Sequence, residues 1–233
     1  MTGFDESVLR SLNDFVGRWP RLDAFLLEWS VQDLTKGGVF AAVFWALWFR
    51  KRTQPKQRLY LAIGATAITL ALVVNRVLAS LLPFVERPLR DPNLGFEFRR
   101  VTGLAQDAFG TLSSFPSDHA VLFMGLALLF SMVSRRIGAV LIVYATVAVL
   151  APRVYLGLHA PSDLLAGTIL GGAFALAPLW PVTVRRIGQP LLRLEATRPA
   201  LFYSLAFLWS WMIATLFQPL VRWAEFLHVY WTT

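Results

Sequence analysis

The chain has 233 residues, of which 56% are hydrophobic and only 15% charged, with a formal net charge of +8. An average soluble domain carries about 25% charged residues. This composition, with a mean hydropathy of +0.56 and the apolar residues gathered in long blocks, excludes an ordinary soluble domain and reads as a helical membrane protein of several spans. The sequence contains no cysteine, which excludes disulfides and thiolate metal sites, and in such a chain the positive charge marks cytoplasmic loops rather than a nucleic-acid partner.

Residues 1–10 contain Asp5 and Glu6 and lack the basic region and apolar core of a signal peptide. Residues 4–30 are charged throughout, so they are not a span. Val8, Leu9, Leu12, Phe15, Val16 and Trp19 recur at steps of three and four, which predicts an amphipathic helix in the membrane interface, broken or kinked at Pro20. Apolar spans are predicted near 34–49, 59–82, 118–134, 137–152, 163–184 and 199–219. The fold class is all-α: a polytopic membrane helix bundle with about six transmembrane helices plus the N-terminal amphipathic helix. It forms one domain over 1–233, with 1–30 as the interfacial segment and 31–233 as the transmembrane bundle.

The charges orient the bundle. Loops 50–58, 135–136 and 185–198 hold Arg50, Lys51, Arg52, Lys56, Arg58, Arg135, Arg136, Arg185, Arg186, Arg193 and Arg198, with Glu195 as their one acid. These loops alternate with 83–117 and 153–162, so the positive-inside rule makes the basic loops cytoplasmic and puts the two most polar segments together on the outer side. Trp19, Trp29, Trp180, Trp209, Trp223 and Trp231 lie near predicted span ends, as an aromatic belt requires. Gly167 and Gly171 form a small-xxx-small pair that points to close helix packing.

Three clusters on the outer side carry chemistry: Glu86-Arg87-Pro88, Phe115-Pro116-Ser117-Asp118-His119, and the run from Arg153 through His159 to Asp163. A hairpin of two spans returns Arg153 to the level of His119. Arg87 and Arg153 offer planar forks for a phosphate, and Ser117 and the first-turn N–H groups can hold an anion. His159 can attack phosphorus if Asp163 holds its other ring nitrogen, while His119 can protonate the leaving oxygen and later activate water. Singly, each residue has an ordinary role: a loop arginine, a helix cap, a snorkelling side chain. His228 is read as an interfacial or surface histidine. Arg76, at membrane depth, is a functional candidate by default, but bonding to Asn75 or to helix carbonyls is the favoured reading.

These residues resemble the type 2 phosphatidic acid phosphatase superfamily, whose signature is Lys-x6-Arg-Pro, Pro-Ser-Gly-His and Ser-Arg-x5-His-x3-Asp. Here the parts are Arg87-Pro88, Pro116-Ser117-Asp118-His119 and Pro152-Arg153 through His159 to Asp163. The resemblance implies a six-helix fold and a phosphohistidine intermediate on His159, with Asp163 as its partner and His119 as acid/base. Arg87, Arg153 and Ser117 become phosphate ligands, Asp118 is placed beside the phosphate, and neither metal nor cofactor is implied. The signature lysine falls at Ser80, the glycine at Asp118 and the serine at Pro152. Asp118 can raise the His119 pKa, repel a second anion or cap the helix.

Ser114–His119 resembles the bacterial undecaprenyl-diphosphate phosphatase branch, which implies an inner-membrane enzyme working on a lipid at the periplasmic face. Other lipid phosphates fit the same pocket: phosphatidic acid, phosphatidylglycerol phosphate or a lipid A phosphate. A non-enzymatic anion-binding or transport protein is a second class. A metallohydrolase using His119, His159, Asp118 and Asp163 is a third, disfavoured by the two arginines.

Overall fold

The computed structural model describes residues 1–51, 54–104 and 112–218. Arg52, Trp223, His228 and Trp231 therefore lie outside the described residues, as does part of the 83–117 loop. Among the described residues the regular structure is helical: α1 Gly3–Asn13, α2 Pro20–Val31, α3 Leu34–Phe49, α4 Pro55–Leu81, α5 Ala120–Val133, α6 Arg135–Tyr155, α7 Pro161–Leu179, α8 (181–197) and α9 Pro199–Ala214. Helices α4, α6 and α7 are long and apolar enough to cross a membrane, while α3, α5 and α9 are shorter apolar helices. The 27 residues of α4 reach about 40 Å at 1.5 Å per residue.

The bundle is apolar on both sides of its helices, as a lipid solvent allows. Val140, Val143 and Val147 on α6 and Leu165 and Ile169 on α7 face outward and are exposed. Inside, Phe40, Phe44 and Trp48 follow one another at every fourth residue of α3 and are buried against α5. Phe40 meets Phe123 at 5.1 Å between ring centroids, within the range in which aromatic pairs add to plain burial. Leu61, Ile68 and Leu72 of α4 and Leu122, Leu126 and Leu129 of α5 complete this core.

Several boundaries differ from the sequence reading. The fifth span was expected to run to residue 184, but α7 ends at Leu179. Pro181 then starts a new helix that carries Arg185 and Arg186, because proline takes the first turn of a helix more readily than its interior. Trp209 was assigned to an aromatic belt. Its ring instead packs 5.0 Å from Phe44 and its indole N–H donates to Thr69 Oγ1 at 2.9 Å, so it serves helix packing. Trp19 and Trp180 are exposed.

The loops alternate between the two ends as expected. Gln57 donates to the Val133 carbonyl at 3.1 Å and Arg58 pairs with Glu195 at 3.6 Å, which gathers the basic loops at one end. At the opposite end, loop 83–104 is tied to the α6–α7 link by Leu89 N–H to the Gly157 carbonyl at 3.0 Å. It is tied to the α5 entry by Ser114 N–H to the Val85 carbonyl at 2.9 Å. Gly157 has φ +67°, and a Cβ there would sit 2.6 Å from Phe98, so both the turn and the contact require glycine.

The small-residue pair on α7 brings two clusters together. A Cβ at Gly167 would lie 2.5 Å from the Ser117 carbonyl oxygen, and one at Gly171 would lie 2.1 Å from that of Val121. Glycine at both positions lets α7 touch the backbone of the α5 entry.

The N-terminal segment is two helices, not one helix kinked at Pro20: α1 ends at Asn13, residues 14–18 form a turn with Gly17 at φ +84°, and Pro20 takes the first position of α2. Asp5, Asn13 and Asp23 of this segment are buried at the same end of the bundle. Asp5 is buried and accepts from Ser162 N–H and Oγ, both at 2.9 Å. Asn13 exchanges two hydrogen bonds of 2.8 Å with the Arg99 backbone, and Tyr155 donates its hydroxyl to Asp23. Burial alone would raise the Asp5 pKa, but donors from Thr2 and Ser162 outweigh it and hold the carboxyl below its ordinary value. Asp5 therefore contributes stability above the ordinary carboxylate pKa, lost as pH falls through the lowered one. Asp5→Ala should cost about 2 kcal/mol at neutral pH and lower the unfolding midpoint in detergent. The gap from wild type should close in strong acid, and a gap independent of pH would contradict the assignment.

Candidate active site

The third cluster folds into a tight turn. Leu158 and His159 N–H both donate to the Arg153 carbonyl, at 2.9 and 3.3 Å, and Pro161 then opens α7. This puts Asp163 in the first turn, where its carboxylate reaches back to accept Ala160 N–H at 2.8 Å. Pro161 thus helps bring Asp163 toward His159. His159 and Asp163 are both buried, with Nδ1 and Oδ2 3.6 Å apart.

Ser114 closes that gap. Its hydroxyl donates to Asp163 Oδ2 at 2.6 Å and lies 3.3 Å from His159 Nδ1, and its carbonyl lies 2.9 Å from the same nitrogen. A carbonyl accepts only, so Nδ1 carries the proton and Nε2 keeps its lone pair. In the sequence Ser114 stands just ahead of the second cluster, in the Ser114–His119 run that carries the branch resemblance, and has no role of its own there. Its signal was position, since it stands five residues before the histidine of that cluster. The His159 pKa lies below its ordinary value because burial strips hydration and Arg87 and Arg153 add positive potential, while Asp163 pulls the other way. The imidazole is therefore neutral at neutral pH.

The second cluster enters α5 directly beside this turn. Ser117 N–H donates to the Asp163 carbonyl at 3.2 Å. The Ser117 hydroxyl is fully buried and has no hydrogen-bond partner among the described residues. His119 stands where α5 begins and shares a cavity of about 210 Å³ with Arg153 and Leu158. The α5–α6 hairpin has returned Arg153 to the level of His119, as the span lengths predicted.

Both arginines are buried and each grips a carbonyl. Arg87 Nη1 donates to Leu158 at 2.7 Å, and Arg153 Nη2 to Ser30 at 3.2 Å. Arg153 Nε has no partner among the described residues. Burial lowers the Arg87 guanidinium to about 10, which leaves it cationic at neutral pH.

Asp118 turns toward α4. Its carboxylate pairs with Arg76 at 2.5 Å and accepts from Asn75 at 2.8 Å, and Asn75 also donates to the Pro116 carbonyl at 3.1 Å. The favoured partners for Arg76 were Asn75 or carbonyls, but Arg76 meets an acid from beyond the long polar loop: Asp118, at the entry to the next apolar helix. This pair ties α4 to the α5 entry and balances the Asp118 charge beside Ser117 and His119. Ser80, at the signature lysine's position, is exposed and bonds back to the Val77 carbonyl at 2.8 Å.

The structure thus brings His159, Asp163, Ser117, His119, Arg87 and Arg153 to one end of the bundle, with Asp118 at its α4 side. Among the described residues no three His, Asp or Glu side chains group as a metal site. Lys36, absent from the sequence reading, also lines the cavity with His119 and Arg153. The rule that flags an ionisable residue at membrane depth applied to it as much as to Arg76.

Comparison with known proteins adds three findings. Residues 86–186 match the PAP2 superfamily. The chain is 28% identical over 178 residues to the bacitracin transport permease protein BcrC of Bacillus licheniformis, covering 73% of this chain and 77% of that protein. It is 31% identical over 129 residues to the putative undecaprenyl-diphosphatase YbjG of Escherichia coli K12, covering 54% of this chain and 60% of that protein. No solved structure matches the chain.

Proposed function

We propose, for a membrane protein that belongs to the PAP2 superfamily and is a lipid phosphate phosphatase, that its substrate is a polyprenyl diphosphate such as undecaprenyl diphosphate. The products are the lipid monophosphate and inorganic phosphate. The observation that carries this reading is His159 held through Nδ1 in the midst of two buried arginines. Its free lone pair is then on Nε2, the nitrogen available to attack phosphorus.

In this reading Nε2 attacks the terminal phosphorus. An N–P bond forms, the bridging P–O bond breaks, and His119 gives its proton to the departing lipid monophosphate. His119 then takes a proton from water, which attacks the phosphohistidine. The N–P bond breaks, and phosphate leaves. Asp163 and the Ser114 hydroxyl and carbonyl orient the nucleophile, while Arg87, Arg153 and Ser117 hold the phosphoryl oxygens. Asp118, fixed by Arg76, borders the substrate. The chain forms one domain of six spans in a bacterial inner membrane, with the site on the periplasmic face, the basic loops inside, and the outer faces of α1 and α2 at the interface.

The test is phosphate release by detergent-purified protein given undecaprenyl diphosphate and phosphatidic acid in parallel, with EDTA present. Faster, EDTA-resistant release from the diphosphate is expected. Release only from phosphatidic acid would move the substrate to another lipid phosphate. The Bacillus relative, a transport permease protein by name, favours a second reading, transport or anion binding without hydrolysis, which release from neither lipid would support.

The pH profile provides a further check. His159 must be unprotonated to attack, and its pKa is lowered. The acid limb of kcat/KM is expected below the ordinary imidazole value and should move to still lower pH in Asp163→Asn, where the upward pull is gone. A limb that moves upward in this variant would remove Asp163 from its assigned place.

A further inference from the structure

The site has a cation that no part of the signature supplies. Lys36 is buried in the first turn of α3, where its ammonium donates to the Ser30 carbonyl at 2.8 Å. Arg153 donates to the same oxygen at 3.2 Å. Two full positive charges therefore bracket one carbonyl oxygen, which offers only a partial negative charge. The nearest carboxylate, Asp33, is 3.7 Å from the ammonium and half exposed, so water screens it. Lys36 and Arg153 line one cavity with His119. A buried ammonium that stands beside a guanidinium, and whose own ion pair with Asp33 is long and half exposed, is favoured by a further anionic partner.

At the same time the signature lysine is missing. Ser80 is exposed and its hydroxyl is turned back on its own helix. We propose that Lys36 is the phosphate-binding ammonium of this site, supplied from α3 in place of the lysine that the second span lacks. The assignment rests on the phosphatase reading for the identity of the anion. An ammonium has three donors, so Lys36 can keep Ser30 and still bind a phosphoryl oxygen beside Arg153. A diphosphate carries more negative charge than a single phosphoryl group, and Lys36 lines the cavity beside Arg153 where it would add to the balance of that charge.

The competing explanation is purely structural: Lys36 only fastens the α2–α3 turn through Ser30. Lys36→Gln separates the two, because its amide can still donate to that carbonyl but carries no charge. The probe is inorganic phosphate, its Kd measured by calorimetry on detergent-purified protein, with KM and kcat for the lipid diphosphate measured alongside. Lys36→Gln should keep its unfolding midpoint, weaken phosphate about ten-fold or more and raise KM by a similar factor. Lys36→Arg should stay within about three-fold of wild type on both readouts.

Unchanged phosphate Kd in folded Lys36→Gln would overturn the assignment. So would wild-type protein that binds no phosphate. If Lys36→Gln does not fold, Lys36→Arg decides: retained phosphate binding supports the assignment, and lost binding in folded protein overturns it. Wild type that binds phosphate through Lys36 yet releases none from lipid would instead overturn the phosphatase reading and leave this one standing.

Discussion

His119→Ala is expected to accumulate phosphorylated protein, whereas His159→Ala forms none, and both lose steady-state turnover by on the order of 10³-fold or more. The asymmetry follows from where each histidine sits. His159 is held by the Ser114 carbonyl and hydroxyl and by Asp163, which suits the nucleophile role proposed for it. His119 lines the open cavity, where a leaving oxygen and later a water would pass. A lipid monophosphate is a good leaving group, so its departure needs the acid less than hydrolysis of the phosphohistidine needs the base. Removing His119 therefore slows the second step more. The measurement is acid-labile, base-stable label on the protein after brief exposure to diphosphate labelled in its terminal phosphate. Label on His159→Ala, or none on His119→Ala with His159 intact, would reverse the roles.

Gly171→Ala is expected to be severely destabilising, while Gly172→Ala, one residue away, is close to wild type. A methyl at 171 would lie 2.1 Å from the Val121 carbonyl oxygen and 3.0 Å from its Cα, so backbone must move. At 172 the nearest atom is the flexible end of Leu128 at 3.1 Å. Overpacking against an unyielding neighbour costs about 1–3 kcal/mol or more. Here it also pushes α7 away from the α5 entry, which separates the Ser117 N–H from the Asp163 carbonyl. Gly171→Ala should therefore lose activity by at least ten-fold and lower the detergent unfolding midpoint. Equal behaviour of the two variants would show that the close approach does not hold the site together.

Much of this was legible beforehand, because membrane spans and phosphate chemistry both leave local marks. The apolar runs placed α3, α4, α5, α6 and α9 near their observed positions. The spacing of His119, Arg153, His159 and Asp163 pointed to a shared pocket before any geometry was known. What stayed hidden were partnerships between helix ends that sequence does not place side by side. Ser114 lies 45 residues from His159, and Arg76 finds Asp118 only because α4 and the α5 entry pack together. Lys36 was passed over because it stands at the edge of a long apolar run and beside two glycines. The end of α7 differs for another reason: hydropathy continues through Leu179, Trp180 and Val182 to the Arg185-Arg186 pair, while Pro181 starts a new helix.

The bond from Ser162 to Asp5 spans 157 residues, and this has a consequence for biosynthesis. α1, made well before α7, finds its buried partner only once the start of α7 has been made, so contacts of this range are slow to close and late to form. During translation α1 waits with a carboxylate that belongs inside the protein. The two halves of the support around His159, Ser114 on one side and the turn ahead of α7 on the other, assemble in the same late step. A nascent chain stalled before residue 161 would hold most of its helices and none of its finished site, which ties the appearance of activity to the insertion of one helix.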